Sequence, residues 1–147
     1  MEQQLYRKPA SCLDSSASKA AKSRLGHRIL LVEDNPDVAD SMAMLLRLFG
    51  HEVLMAFDGK EGVALALQEK PTAILLDIGL PGINGYEACR EIRGAGLCDI
   101  PIFAVTGYNQ MEDRRKSQEA GFNRHMPKPI DMDELEQLLA GFPGKAA

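Results

Sequence analysis

Several polar side chains in this sequence stand immediately after short apolar runs. Glu33 and Asp34 follow Ile29-Leu30-Leu31-Val32, and Asp77 follows Ala73-Ile74-Leu75-Leu76. Thr106 follows a run ending at Val105, and Lys128 follows the weaker segment 123–127. If the first and third runs lie side by side, three carboxylates share one small region, and their repulsion is costly without a cation. Hard oxygen ligands, few in number and completed by water to an octahedron, suit Mg2+. A hydroxyl and an ammonium across such a site suit a tetrahedral oxyanion, that is, a phosphoryl group. A carboxylate beside a divalent cation, facing Lys and Thr, can accept a phosphoryl group.

The elements that would position these groups are legible as an alternation. Ile29–Val32 is a continuous apolar run, as in a strand buried on both faces. Asn35 and Pro36 supply an N-cap and a first-turn proline. Val38, Met42, Leu45, Leu46 and Phe49 follow at helical spacing, with Gly50 closing the helix. The pattern then predicts strands over 52–57, 73–76, 101–105 and 123–127, and helices over 59–70, 86–95 and 110–120. Asp131 can cap a last helix whose apolar face is Leu135, Leu138 and Leu139. Five β-α units with short connections imply one doubly wound α/β domain: a parallel sheet with helices on both faces. Ligands of such sheets bind at the carboxyl ends of the strands, where the polar residues above stand.

The 147 residues suit one domain. Residues 1–28 carry a net charge of +4 and the remainder −8. An acidic body is a poor candidate for direct nucleic-acid contact. Residues 1–26, dominated by small and polar side chains, read as a flexible basic tail, more simply a solvated leader than a membrane or nucleic-acid arm. No apolar run approaches the roughly 18 residues of a membrane span, and no apolar leader marks a secretory signal. The three cysteines, Cys12, Cys89 and Cys98, lack CxxC spacing, which points to a reducing, cytoplasmic setting without structural zinc. His27 and His51 read as surface residues, Cys89 and Cys98 as small apolar fillers. Met42 and Met44 read as core or edge packing, and the run 112–116 as a solvated helix face.

The segments ILLVEDNPD, ILLDIGLPGINGYE, FAVTGY and HMPKPID, in this order and each at a strand end, resemble the receiver domain of two-component response regulators. The resemblance covers about residues 28–140, with a domain expected over 27–141 and a short tail over 142–147. It implies a flavodoxin-like sheet of strand order 2-1-3-4-5 with five helices. It implies that Asp77 is the phosphorylated residue and that Mg2+ is bound by Asp34, Asp77 and the backbone carbonyl of Gly79, with Glu33 acting through a water. Thr106 matches the switch hydroxyl and Lys128 the lysine that pairs with a phosphoryl oxygen, in a Lys128–Pro129 bond expected to be cis. The implied phosphodonor is a histidine kinase or histidine phosphotransfer protein. The implied output is altered binding of a downstream protein target or relay of the phosphate, with no activity as an enzyme beyond self-catalysed phosphoryl transfer and hydrolysis.

The chain departs from the family pattern at two positions. Glu33 stands where Asp is commoner, and His125 stands three residues before the lysine where Tyr or Phe is common. His125 either takes over the aromatic switch role, adding pH sensitivity, or is a half-exposed histidine without one. Gly79 and Tyr108 occupy positions that tune phosphoryl lifetime in this family. Among rival readings, a nucleotide or flavin enzyme needs a Gly- or Ser/Thr-rich loop after the first strand, where this chain has Glu33-Asp34-Asn35-Pro36. A phosphatase with a first-strand nucleophile resembles Asp-x-Asp there, and the second acid is missing. A docking module that is never phosphorylated is disfavoured because competent residues fill Glu33, Asp34, Asp77, Thr106 and Lys128. The short FPGKAA ending leaves no effector domain expected after the receiver, and Met1 favours a stand-alone receiver; the alternative is the terminal receiver of a hybrid histidine kinase, which DIGLPG and TGY also resemble.

Overall fold

The structure, a computed structural model, describes residues 26–107 and 114–144. The expected basic tail up to residue 25, Cys12, Tyr108, the start of the 110–120 helix and residues 145–147 lie outside the described residues. Five strands, β1 (Arg28–Val32), β2 (Glu52–Ala56), β3 (Ala73–Asp77), β4 (Ile102–Thr106) and β5 (Arg124–Pro127), alternate with five helices. The helices are α1 (Pro36–Leu48), α2 (Gly59–Glu69), α3 (Gly85–Gly94), α4 (Arg114–Ala120) and α5 (Met132–Leu139). The strands form one parallel sheet of order β2-β1-β3-β4-β5, the expected arrangement. Chain order reverses between β1 and β3, which places the crevice of a doubly wound sheet between those two strands.

Alternation along the central strands supplies two cores. Leu30, Val32, Ile74, Leu76, Ile102 and Ala104 face one side, with Ala66, Ala88, Cys89, Ile92 and Phe122. Ile29, Leu31, Leu75, Phe103, Val105 and Met126 face the other, with Ala39, Ala43, Leu46, Leu135 and Leu139. Period-two alternation with both faces apolar is what a covered parallel sheet requires.

Local chemistry sets the helix ends. The Asn35 side chain accepts from the amides of Asp37 and Val38 with Pro36 in the first turn, and Asn84 and Glu87 form a reciprocal capping box on α3. The α1 face differs from its sequence reading. Ala39, Ala43 and Leu46 are buried and Met42 packs at their flank, while Leu45 is 42%, Phe49 44% and Met44 63% exposed. Two alanines on one line let α1 lie close to the sheet, and the larger side chains are left on its other faces.

His27 and His51, expected at the surface, are buried. The His27 amide donates to His51 Nδ1 (3.0 Å), and His51 Nε2 meets the Glu136 carboxylate at 2.6 Å. The His27 ring reaches the Leu139 carbonyl (3.0 Å) and the Thr72 hydroxyl (2.9 Å). The end of α5 closes over two polar rings whose nitrogens all find partners, which makes their burial tolerable.

Candidate functional site

Each polar residue of interest is delivered by the carboxyl end of a strand. β1 and β3 pair from Ile29 with Ala73 to Val32 with Leu76, so Glu33 and Asp34 emerge beside Asp77. Carboxylate oxygens of Glu33, Asp34 and Asp77 lie within 4.8 Å of one another. Glu33 and Asp77 are buried, 2% and 5% exposed, whereas Asp34 is exposed. Lys128 follows β5 and reaches back over the sheet: its Nζ lies 2.7 Å from Glu33 Oε1 and 3.1 Å from Asp77 Oδ2. The remaining oxygens are also held. Asp77 Oδ1 accepts from the Gly79 amide at 2.9 Å, and Glu33 Oε2 accepts from the Asn35 amide at 3.1 Å.

Burial raises the Glu33 carboxyl above its ordinary value, assisted by the charge of Asp77 and opposed by hydrogen bonds from Lys128 and Asn35. Burial acts to lower the Lys128 ammonium, but Glu33 and Asp77 together outweigh it and hold it above its usual range. One cation thus serves two of the three clustered acids, and the excess negative charge favours a further cation.

Thr106 ends β4 and is buried. The hydrogen bonds that join the acids and the lysine do not include its hydroxyl; its carbonyl accepts from the Lys128 amide at 2.9 Å. The Lys128–Pro129 bond is cis. Gly79 is exposed in the loop after β3, which the buried side chains of Ile78 and Leu80 pin to the core. His125 is half-buried, its Nε2 2.9 Å from the Ser117 hydroxyl on α4 and its ring stacked on Phe122.

The structure adds two features that were not read from the sequence. Gly85 opens α3 so close to the acceptor strand that a Cβ there would sit 2.6 Å from the Asp77 carbonyl oxygen and 2.7 Å from Ile78 Cα. A glycine directly after the Asn84 cap was the available signal. The direct Glu33–Lys128 ion pair is the other, and nothing in local spacing announces it, since 95 residues separate the two.

These strand-end acids, the lysine opposite them and the β2-β1-β3-β4-β5 sheet define a receiver domain. The chain belongs to the response regulator receiver domain family, whose model matches residues 29–140. It is 39% identical over 113 residues to Protein PilH of Pseudomonas aeruginosa, covering 76% of this chain and 93% of PilH. It is 34% identical to the DNA-binding regulator RpaA of Synechocystis, covering 74% of this chain but only 45% of that protein. Among solved structures, the receiver domain of the sensor histidine kinase PA1611 from Pseudomonas aeruginosa, which has a magnesium ion coordinated in its active-site cleft, is similar at a TM-score of 0.70. The two are 38% identical, covering 78% of this chain and 94% of that one. A CheY-like receiver from Methanospirillum hungatei is similar at 0.69 and 32% identity, covering 77% and 90%.

Proposed function

We propose that this receiver accepts a phosphoryl group on Asp77 from a histidine kinase or histidine phosphotransfer protein and thereby alters partner binding or passes the phosphate on. The observation that carries this reading is the position of Asp77: a buried carboxylate at the end of a central strand, with one oxygen on a backbone amide and the other on Lys128. In transfer, a carboxylate oxygen of Asp77 bonds to phosphorus. The bond from phosphorus to the donor imidazole nitrogen breaks, and its electron pair leaves with that nitrogen. Lys128 then pairs with a phosphoryl oxygen, and Thr106 supplies a hydroxyl from the adjacent strand end.

The carboxylates of Glu33, Asp34 and Asp77 form an oxygen-rich donor set that fits Mg2+. By the family pattern Asp34, Asp77 and the Gly79 carbonyl would hold the ion directly and Glu33 would act through a water. Bound Mg2+ would neutralise the clustered carboxylates and the charge on the transferred group. The domain acts as a signalling phosphoacceptor, not as an enzyme on a separate substrate. A partner surface is available beside the site. Val38, Met42 and Leu45 of α1 form a groove with Ile130 and Met132, and Lys128 stands at its rim. The same helix exposes Leu48 at 75%. No helix among the described residues is long and apolar enough to cross a membrane. A receiver from a hybrid histidine kinase is the second reading, favoured by the likeness to the PA1611 receiver.

Intact-mass analysis after incubation with acetyl phosphate tests the proposal. One phosphoryl adduct is expected with Mg2+ and none in EDTA, and Asp77→Asn should take up none. An undiminished adduct in that variant would place the nucleophile elsewhere.

A further inference from the structure

At the amino ends of the strands, opposite the acids, two buried rings stand together. His27 leads into β1 and His51 into β2, with ring centroids 5.9 Å apart. Several elements converge on them. The His51 amide donates to the Leu46 carbonyl of α1 at 3.1 Å, and the Glu52 amide of β2 donates to the His27 carbonyl at 2.9 Å. Thr72, just ahead of β3, sets its hydroxyl 2.9 Å from His27 Nδ1, and α5 supplies Glu136 and the Leu139 carbonyl. These partners fix where each ring carries its proton. A carbonyl only accepts, so His27 Nε2, 3.0 Å from the Leu139 carbonyl, is protonated. A backbone amide only donates, so His51 Nδ1, 3.0 Å from the His27 amide, is bare, and the His51 proton lies on Nε2 toward Glu136. A second proton on His51 can enter only at Nδ1, where it meets the hydrogen of the His27 amide. His27 Nδ1 faces a hydroxyl that can turn its own hydrogen to the Arg28 carbonyl at 3.3 Å. A second proton on His27 therefore costs burial of a charge rather than a contact.

We propose that His27 and His51 form an acid-sensitive latch, which holds the end of α5 on the amino edge of the sheet while both rings are neutral and releases it when they take up protons. The latch grips α5 twice in its last turns, at Glu136 and at Leu139. Beyond it the amides of Ala140 and Gly141 bond only back along the helix, to the carbonyls of Glu136 and Leu138, so the helix end frays once the grip is lost. His51 follows α1 closely, and the latch thus joins the two helices that wall the groove beside the site. Glu136 is the carboxylate that meets the rings. Arg28 of β1 is engaged by Glu69 of α2 at 2.6 Å and by Glu52 of β2 at 3.6 Å. Arg47 at the end of α1 is exposed, and Glu134 of α5 pairs with Arg124 at 3.9 Å. Burial, with His51 beside it, holds the His27 ring below its ordinary value against the Leu139 carbonyl and Glu136. The latched form is therefore favoured above the ordinary histidine value of about 6.5 and is lost as pH falls through the folded value.

NMR on the full chain between pH 7.5 and pH 5.0 tests the latch without altering it. Ring 15N spectra at pH 7.5 should show both His27 and His51 protonated on Nε2 alone. As the rings take up protons, amide-exchange protection of Ala140 and Gly141, corrected for the intrinsic effect of pH, should fall about tenfold more than that of β3. A proton on Nδ1 of either ring at pH 7.5 overturns the proposal, and so does titration of the rings with no selective loss at the end of α5. Two variants separate the latch from general acid unfolding. Glu136→Gln keeps an acceptor for His51 Nε2 but removes the charge that favours a second proton on that ring, so the loss should move to lower pH by at least about 0.3 pH unit. His27→Gln with His51→Gln leaves nothing to titrate, and the selective loss should vanish. An unshifted midpoint in Glu136→Gln, or a parental loss in the double variant, refutes the latch. Should the double variant fail to fold, the parent spectra and Glu136→Gln, at a partly exposed position, still decide the question.

Discussion

Replacing Asp34 by Asn should make the metal-free protein more stable. The carboxylate oxygens of Glu33, Asp34 and Asp77 lie within 4.8 Å of one another, and Lys128 is drawn to Glu33 and Asp77. Asp34 is exposed, so a water-like dielectric is the appropriate one, and at that distance each like-charge pair costs about 0.9 kcal/mol. Two such pairs act on Asp34, and the lysine cancels about one of them. Glu33 stays beside Asp34 in the unfolded chain, so part of that repulsion is common to both states. The remainder is about 0.5 kcal/mol, or roughly 1–3 °C in melting temperature for a domain of this size. Asn preserves the shape, so the change isolates the charge. Urea unfolding of both proteins in EDTA and in Mg2+ gives the test. At a Mg2+ concentration ten times its dissociation constant the parent should gain about 1.4 kcal/mol, and the variant should gain far less. A variant less stable than the parent in EDTA would refute the reasoning that these acids form a strained cluster. A variant with the full Mg2+ response would remove Asp34 from the ligand set.

Gly85→Ala should cost about 1–3 kcal/mol in urea unfolding, because its Cβ would meet immovable backbone at Asp77 and Ile78; an unchanged midpoint would show that α3 can shift. Burial, with the neighbouring His51, holds the His27 ring below its ordinary value against the pull of the Leu139 carbonyl and Glu136. The unfolded chain therefore binds more protons as pH falls below about 6.5, so stability present above that pH should decline through the folded value, and His27→Gln should flatten that slope. Arg93 is buried and donates to the carbonyls of Leu97, Ile100 and Gly121 and to Asn123 Oδ1. Arg93→Met should cost roughly 3 kcal/mol or more in the same assay, since several buried acceptors lose a charged donor together. Burial pushes the Cys89 thiol up to about 12, so in the native protein it should react with iodoacetamide at pH 8 on the order of a thousandfold more slowly than after unfolding.

The order of elements and the residues at the strand ends were legible in the chain because both are local. A strand buried on two faces must be continuously apolar, as Ile29–Val32 and Ala73–Leu76 are, and a change to Glu33 or Asp77 marks where the apolar run gives way to a polar strand end. Asn35-Pro36 and Asn84 carry their caps in the sequence itself. Other features depended on which elements meet. Whether Leu45 or Ala43 of α1 faces the sheet follows from how closely the helix approaches, and two alanines decide that in favour of close approach. His27 and His51 have no local reason to be buried; α5, arriving more than eighty residues later, covers them and supplies Glu136 and the Leu139 carbonyl. The lysine's choice between Glu33 and Asp77 is likewise a property of the closed sheet. It turns on the span from β1 to β5, which does not become a distance until the strands between them are in place.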